Sequence, residues 1–468
     1  MTECAPAKPE NADEERLFSR KYAAATLSFA AVMFLTGFAA LAVVPTLPAA
    51  ARELDGVHLY PLVAGCFVAA SLLGGVLGGD WADRAGAGRP LAAGVVLAVV
   101  TLVVSATSTT IWQLAVGRFL DGVAAGMIAV AINTAIAHAY PDRLRARALA
   151  LMSTCWIIPS LTGPPLAGLV ADWWSWRAVF YGLAALTVIP SLAVVLLLRS
   201  RSWQGAPADP ASEAPADRVP RPALLVAAAV SVGAALGQYA VSGWDVRHLL
   251  CGAVGVALLV VFAPRLLPAG TWRAARGLPA AVLLRALTSG AYFTLEAFVP
   301  LLLDTARRVP PVQTGLAFTG AAIAWAGASW LQGRLQGRVS RHRMITVGSL
   351  VMGAAVVIAA AGTLPGTPAL TAAGAMVVAA IGMGMVAPSL TLLSLTHSPP
   401  GRQGYASSAM QTSQNLGQMA VMGVSSAVFN LFLGIGSDAQ AGYAAAFGLL
   451  LVPSVLAAVL AVRARGSS

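Results

Sequence analysis

Residues 79–89 read Gly-Asp-Trp-Ala-Asp-Arg-Ala-Gly-Ala-Gly-Arg and separate two apolar cores, 59–79 and 90–109. Asp80, Asp83, Arg84 and Arg89 place four charges in this turn, in a chain where only 10% of residues are charged. About 20 apolar residues cross a bilayer core as a helix, and the runs on both sides have that length. The turn is therefore a loop between two membrane helices, and the same pattern repeats along the chain. Tyr22–Ala51, Ala148–Ala171, Ala178–Leu198, Pro222–Trp244, Val309–Gly333 and Ala439–Val462 each lack Asp, Glu, Lys and Arg. An average soluble domain carries about 25% charged residues. With 468 residues, 58% of them hydrophobic, and a mean hydropathy of +0.76, this chain lacks the charge to cover a water-facing surface. Soluble enzymes, nucleic-acid binders and disordered proteins are excluded, and an all-α, multi-pass membrane protein remains.

Breaking the runs at Gly, Pro and charge predicts fourteen helices, with cores at 24–48, 59–79, 90–109, 111–139, 147–171, 177–198, 222–243, 248–264, 279–303, 312–335, 343–363, 368–396, 404–432 and 440–463. Basic residues accumulate in cytoplasmic loops. Here 23 of the 30 Lys and Arg fall in the alternate segments that include the N-terminal tail. Five lie on the opposite side (Arg52, Arg177, Arg247, Arg307 and Arg308), and Arg118 and Arg285 lie within helices. The net charge of +11 is thus an orientation signal with both termini cytoplasmic, and it requires no nucleic-acid partner. Residues 1–21 lack a cleavable signal pattern and read as a cytoplasmic tail. A charged, Pro- and Ala-rich linker at 199–221 closes a six-helix bundle, 22–198. Two inserted helices and a basic loop occupy 222–277, a second six-helix bundle 278–463, and a short tail 464–468. Cys4, Cys66, Cys155 and Cys251 are scattered, with neither disulfide nor metal spacing.

In the 79–89 loop, Gly79 permits close helix approach, and Asp83 is placed to accept from the N-terminus of a helix in the other half. Arg84 and Arg89 hold the loop at the cytoplasm. The pattern resembles the signature loop of the major facilitator superfamily, G-x-x-x-D-R-x-G-R, with one residue inserted before the last Arg; Gly86 takes the inner Gly position. In the second half, Gly333-Arg-Leu-Gln-Gly337-Arg338-Val-Ser-Arg341-His-Arg343 keeps the bases and has Gly337 where the acid would stand. The resemblance implies a major-facilitator fold of two six-helix bundles, here with two additional central helices.

The fourth helix carries Arg118-Phe-Leu-Asp121-Gly122-Val-Ala-Ala-Gly126. A charge in lipid costs roughly 2.5–3.5 kcal/mol on insertion scales, so Arg118 needs a partner, and Asp121 three residues on shares its face. Gly122 and Gly126 form a packing ridge. The element resembles the family's R-x-x-x-G, which is associated with proton coupling; Asp121 is either a titratable group or a clamp on Arg118. The fifth helix, with Pro159, Gly163, Pro164, Ala167 and Gly168, resembles in part the family's antiporter signature, which implies efflux. Ser175-Trp176-Arg177-Ala-Val-Phe180 resembles the S-W-R-x-x-F at the start of helix six in drug exporters.

Glu296 is the other acid within a predicted span, and Arg285 lies eleven residues away, about 16 Å along a helix. An unpaired carboxyl in low dielectric is a candidate proton carrier; the alternative is a Glu kept wet near the outer interface, with Asp304 at that end. Tyr292 and Phe293 beside it suit an apolar pocket. In the thirteenth helix Gln411, Gln414, Asn415 and Gln418 share a face, which serves interhelical bonding and substrate contact equally well. Trp156, Trp325 and Trp330 suit either packing or a pocket, and His138 and His397 read as interfacial. The first helix has no acid between Phe29 and Leu47, only Thr36 and Thr46.

The resulting expectation is a monomeric secondary transporter in the inner (cytoplasmic) membrane, not an enzyme and without a cofactor or metal. Arg118, Asp121 and Glu296 serve proton coupling, and lipophilic or cationic drugs leave by alternating access. The alternative is an importer or symporter of a small metabolite. A membrane-embedded transferase would need clustered acids or a His–acid dyad, and neither pattern is visible.

Overall fold

In lipid every backbone amide must be satisfied internally, so an apolar chain without strand patterning becomes a stack of helices. The computed structural model describes residues 17–19, 22–141, 144, 147–148, 151–152, 154–199, 224–335, 338–398, 403–434 and 439–464. The 199–221 linker beyond Arg199, nearly all of the 1–21 tail and the 464–468 tail beyond Ala464 lie outside these residues. So do Gly337 and the side chains of Asp83 and His138.

Each of the fourteen predicted cores is helical over most of its described residues. The first half contains α1 (Ala23–Ala42), α2 (Leu47–Glu53), α3 (Tyr60–Ala85), α4 (Gly88–Ala106), α5 (Ile111–Ala139), α6 (Ile157–Trp173) and α7 (Trp176–Arg199). Two further helices follow, α8 (Leu224–Ala240) and α9 (Val246–Phe262). The second half contains α10 (Leu278–Thr305), α11 (Pro311–Arg334), α12 (Arg341–Ala361), α13 (Leu370–Thr396), α14 (Gln403–Gly434), α15 (Ala439–Leu449) and α16 (Leu451–Leu460).

The first core was expected as one helix over 24–48. It instead breaks after Ala42 into a single 3-10 turn, Val44–Thr46, and restarts at Leu47. Pro45 and Pro48 supply no amide proton to the preceding turn, which accounts for the bend. The last core breaks between Leu449 and Leu451, just ahead of Pro453, for the same reason.

Among the described residues, eleven helical segments are long and apolar enough to cross a membrane. The other three cores are α6 and α8, at 17 residues each, and α11, which has 24 residues but is diluted by Gln, Ser, Thr and Gly.

Helices α1, α3–α5 and α7 pack mainly on one another, as do α10–α16, while α6 packs on α1 and α7 and most extensively on α11. Two seams join the groups: α6 against α11, and α3 against α14. Helix α8 pairs with α9 and lies beside the second seam. It bonds to both groups, since Ser231 Oγ donates to Ala69 O at 2.7 Å and Gln238 Nε2 donates to Met419 O at 2.8 Å. Two ends of the molecule can be distinguished: a basic end, carrying residues 86–88 and 338–340, and an opposite end, carrying residues 54–59 and 306–310.

Candidate functional site

Helix α5 brings Arg118 and Asp121 to one buried face. Arg118 Nη1 lies 2.7 Å from Asp121 Oδ2, with 3% and 7% of the two side chains exposed. The guanidinium also stands 4.5 Å from the centre of the Phe67 ring on α3, a cation–π contact strengthened by the dry surroundings. A narrow cleft lined by Thr36, Phe67, Ile128 and Thr187 reaches Asp121. Gly126 makes the α3–α5 crossing possible: a Cβ there would sit 2.2 Å from Ser71 O.

Removing one partner of a buried pair leaves an uncompensated charge at a cost of about 3–5 kcal/mol. Asp121→Asn is therefore expected to lower the thermal midpoint of the purified protein. The double change Arg118→Met with Asp121→Leu is expected to restore it. An unchanged midpoint in the single variant would show that the pair carries no stability.

Helix α10 is enclosed: none of its residues, Leu278 to Thr305, is classed as exposed. Arg285, Ser289, Tyr292 and Glu296 fall at helical spacing along one of its faces. Tyr292 stands one turn before Glu296 on that face. Among the described residues no ion pair to Glu296 is formed. Tyr292 packs edge-on against Phe293, with ring centres 5.2 Å apart, and against Trp325 of α11, at 5.1 Å. Three of the predicted pocket residues therefore form one aromatic cluster one turn from the acid. Trp156 stands elsewhere, in the first half, where its ring lies against Gly37 of α1. Trp330 is 59% exposed and stacks on Arg334.

The polar stripe of α14 divides. Gln411 Nε2 donates to Asn415 Oδ1 at 3.2 Å within the helix, Gln414 accepts from Arg285 across the α10–α14 crossing, and Gln418 is half-buried. His397 ends α13 next to Gly277, and its partial burial holds the imidazole below the ordinary histidine pKa.

The helix-five motif lies in the seam between the two groups. A Cβ on Gly168 would stand 2.5 Å from Pro311 O, and one on Gly315 would stand 2.5 Å from Pro164 O. Backbone meets backbone there, so only glycine fits. Gly163 makes only ordinary contact with Ala42. At residues 79–89, a Cβ on Gly79 would make only ordinary contact with Val130, at 3.5 Å, and Gly86 ends α3 with φ +78°. Arg84 bonds Asp80 of its own helix at 2.8 Å, with Arg84 exposed and Asp80 half-buried, and Arg89 is exposed.

Residues that sequence reading passed over form the contacts at the opposite end. Arg52 of α2 forms an ion pair with Asp304 of α10. Tyr60 donates its hydroxyl to Ala297 O at 2.9 Å. Asp172 Oδ2 accepts from the Val312 amide at 3.1 Å, placing a carboxylate from α6 at the N-terminus of α11. Asn430 Nδ2 donates to His58 O at 3.3 Å and to Val241 O at 2.7 Å. The available signal was the presence of bases (Arg52, Arg177) and acids (Glu53, Asp304) in segments otherwise poor in charge. Arg177, flagged by its motif and by its place among the opposite-side bases, pairs with Glu53, and Trp176 Nε1 donates to the same carboxylate at 2.8 Å. Among the described residues, and apart from α8's bonds and that of Thr319 to Leu161 O, the hydrogen bonds between the groups gather at this end.

Two packed helical groups meeting at two seams, one of them glycine-lined, with a few charges inside, fit a membrane transporter. The chain belongs to the major facilitator superfamily, whose family model matches residues 29–422. It is 26% identical over 434 residues to a probable multidrug-efflux transporter of Mycobacterium tuberculosis, covering 88% of each chain. It is 28% identical over 368 residues to the methylenomycin A resistance protein of Streptomyces coelicolor, covering 76% of this chain and 74% of that one. In three dimensions it is similar to a peptide transporter solved with alafosfalin, with TM-score 0.69 and 15% identity over 94% of each chain. A D-xylose-proton symporter gives TM-score 0.61 at 15% identity, over 94% of this chain and 96% of that one.

Proposed function

We propose that this transporter is a proton-coupled exporter: protons move inward and lipophilic or cationic small molecules, drugs and antibiotics among them, move out by alternating access. The chain crosses the inner membrane fourteen times with its basic end in the cytoplasm, both termini there, and works as a monomer. The two six-helix groups rock about the α6–α11 and α3–α14 seams, with α8 and α9 alongside the second.

The observation that carries this reading is Glu296. It is an acid on an enclosed helix, without a basic partner among the described residues, one turn from the Tyr292–Phe293–Trp325 cluster. A lone carboxyl in that setting alternates between protonated and charged forms as the site changes face. The gathering of inter-group bonds at the non-basic end agrees with a molecule closed to the outside. The relatives named for multidrug efflux and methylenomycin A resistance support the direction.

Everted vesicles loaded with a pH indicator and given ethidium are expected to show substrate-dependent alkalinisation of the lumen. Acidification, or no response with ethidium still moving, would favour symport or uniport. The Arg52–Asp304 pair belongs to the closed state, so Asp304→Asn is expected to raise labelling of a cysteine placed on the inter-group face of α10 from the outside. Unchanged labelling would remove the pair from the gate.

A further inference from the structure

Arg285 is the second base within a span, and its surroundings differ from those of Arg118. Arg118 is neutralised by Asp121. Arg285 donates from Nη2 to Gln414, a neutral amide, while its Nε and Nη1 are buried without an acceptor. A guanidinium carries five N–H donors in a flat fork, so the three on Nε and Nη1 are unused, and the second Nη2 proton completes a two-pronged edge with one of them. Ser289 Oγ, one turn further along the same face, is also buried without a partner.

Among the described residues no ion pair to Arg285 is formed, and Glu296 on the same face lies about 16 Å along the helix axis. The position is held firmly: Ser413 Oγ donates to Val282 O at 2.5 Å, and a Cβ on Gly417 would stand 2.1 Å from Ala286 O, so α10 and α14 touch at the backbone. A buried cation with only an amide for company is less stable than an apolar residue of the same size. A fold that retains one there has a use for an anion.

We propose that Arg285, with Ser289 and Gln414, binds a carboxylate on the transported molecule, whose apolar body lies along Tyr292, Phe293 and Trp325. The planar fork matches a carboxylate through two parallel bonds. This inference rests on the reading that the space between the two helical groups is the substrate path, and it adds lipophilic acids to the substrates of that path. A lipid headgroup is the other source of such an anion. The absence of any exposed residue on α10 favours a ligand arriving through the interior.

The test uses the purified full-length protein in a neutral detergent, with naphthylacetate and naphthylacetamide as probes of equal shape and different charge. At neutral pH the wild type is expected to bind the acid at least about tenfold more tightly than the amide, or about 1.4 kcal/mol. Arg285→Gln is expected to bring the two within about twofold, Arg285→Lys to retain part of the preference, and Ser289→Ala to weaken the acid alone. Monodisperse elution and circular dichroism check the fold of each variant, and Ser289→Ala keeps the test decisive if Arg285→Gln does not fold. Equal affinities in the wild type, no binding of either probe, or a preference that survives Arg285→Gln overturns the proposal. So does a preference that added phosphatidylglycerol abolishes, because the site then belongs to a headgroup. Loss of proton-linked export with the acid preference intact overturns the antiport reading alone.

Discussion

Glu296→Gln is expected to abolish uphill, proton-driven export while leaving downhill exchange of substrate across the membrane intact. The amide has the size of the acid, so the Tyr292–Phe293–Trp325 cluster retains its shape. What it lacks is a proton to exchange. A ligand shifts a conformational equilibrium only by its differential affinity for the two states, and with Glu296 neutral in both, a pH gradient has no purchase on α10. The measurement is a pair of assays on the same proteoliposomes: export against a gradient driven by an imposed pH difference, and counterflow at equal pH. Wild-type uphill export in Glu296→Gln would transfer the coupling role to Asp121. Loss of both activities would make Glu296 a structural or substrate-binding group.

The second large effect is expected at the α6–α11 seam. In Gly168→Val the first side-chain carbon would stand 2.5 Å from Pro311 O and 2.8 Å from the Val312 Cα, both backbone. Neither atom can rotate away, so the two helices must separate at the end where the groups are bonded. Overpacking of this kind costs about 1–3 kcal/mol, and each 1.4 kcal/mol moves a two-state population about tenfold. The closed-outside state is the one penalised, and transport is expected to fall by about tenfold or more. Spin labels placed on the outer ends of α6 and α11 are expected to report a longer mean distance. Gly182→Ala on α7, where an added Cβ meets nothing within 4 Å, is the control expected to behave as wild type. Unchanged distances in Gly168→Val would mean that the seam is not a moving part.

Much of this architecture was legible because lipid removes alternatives: an uninterrupted apolar run has one satisfied backbone form, and charged turns mark where it ends. The pairing of Arg118 with Asp121 was legible for the same reason, since three residues on a helix fix a face. Arg285 was harder to read. Its distance from Glu296 came from the spacing alone, but its contact with Gln414 joins positions 129 apart. Trp156 and Trp325 look equivalent in sequence; only packing sends one to Gly37 and the other to Tyr292. The two proline-marked breaks, after Ala42 and at Leu450, were missed because proline is tolerated inside membrane helices and its position alone does not say which one ends a turn.

The sequence by itself determined the class, the succession of helical segments, the uneven placement of basic residues and the isolation of four charged residues within the helices. These come from local quantities: run length, helical period and the cost of charge in hydrocarbon. Only the tertiary structure decided that Gly168 faces Pro311, that Arg52 meets Asp304, and that Arg285 has an amide instead of a carboxylate beside it. Those are contacts between segments far apart in the chain. Between apolar helices in lipid, the pattern of greasy residues that sets partners in a water-soluble core carries no such information, because lipid is as apolar as the helix surface, and small residues and a few polar groups choose the neighbour instead.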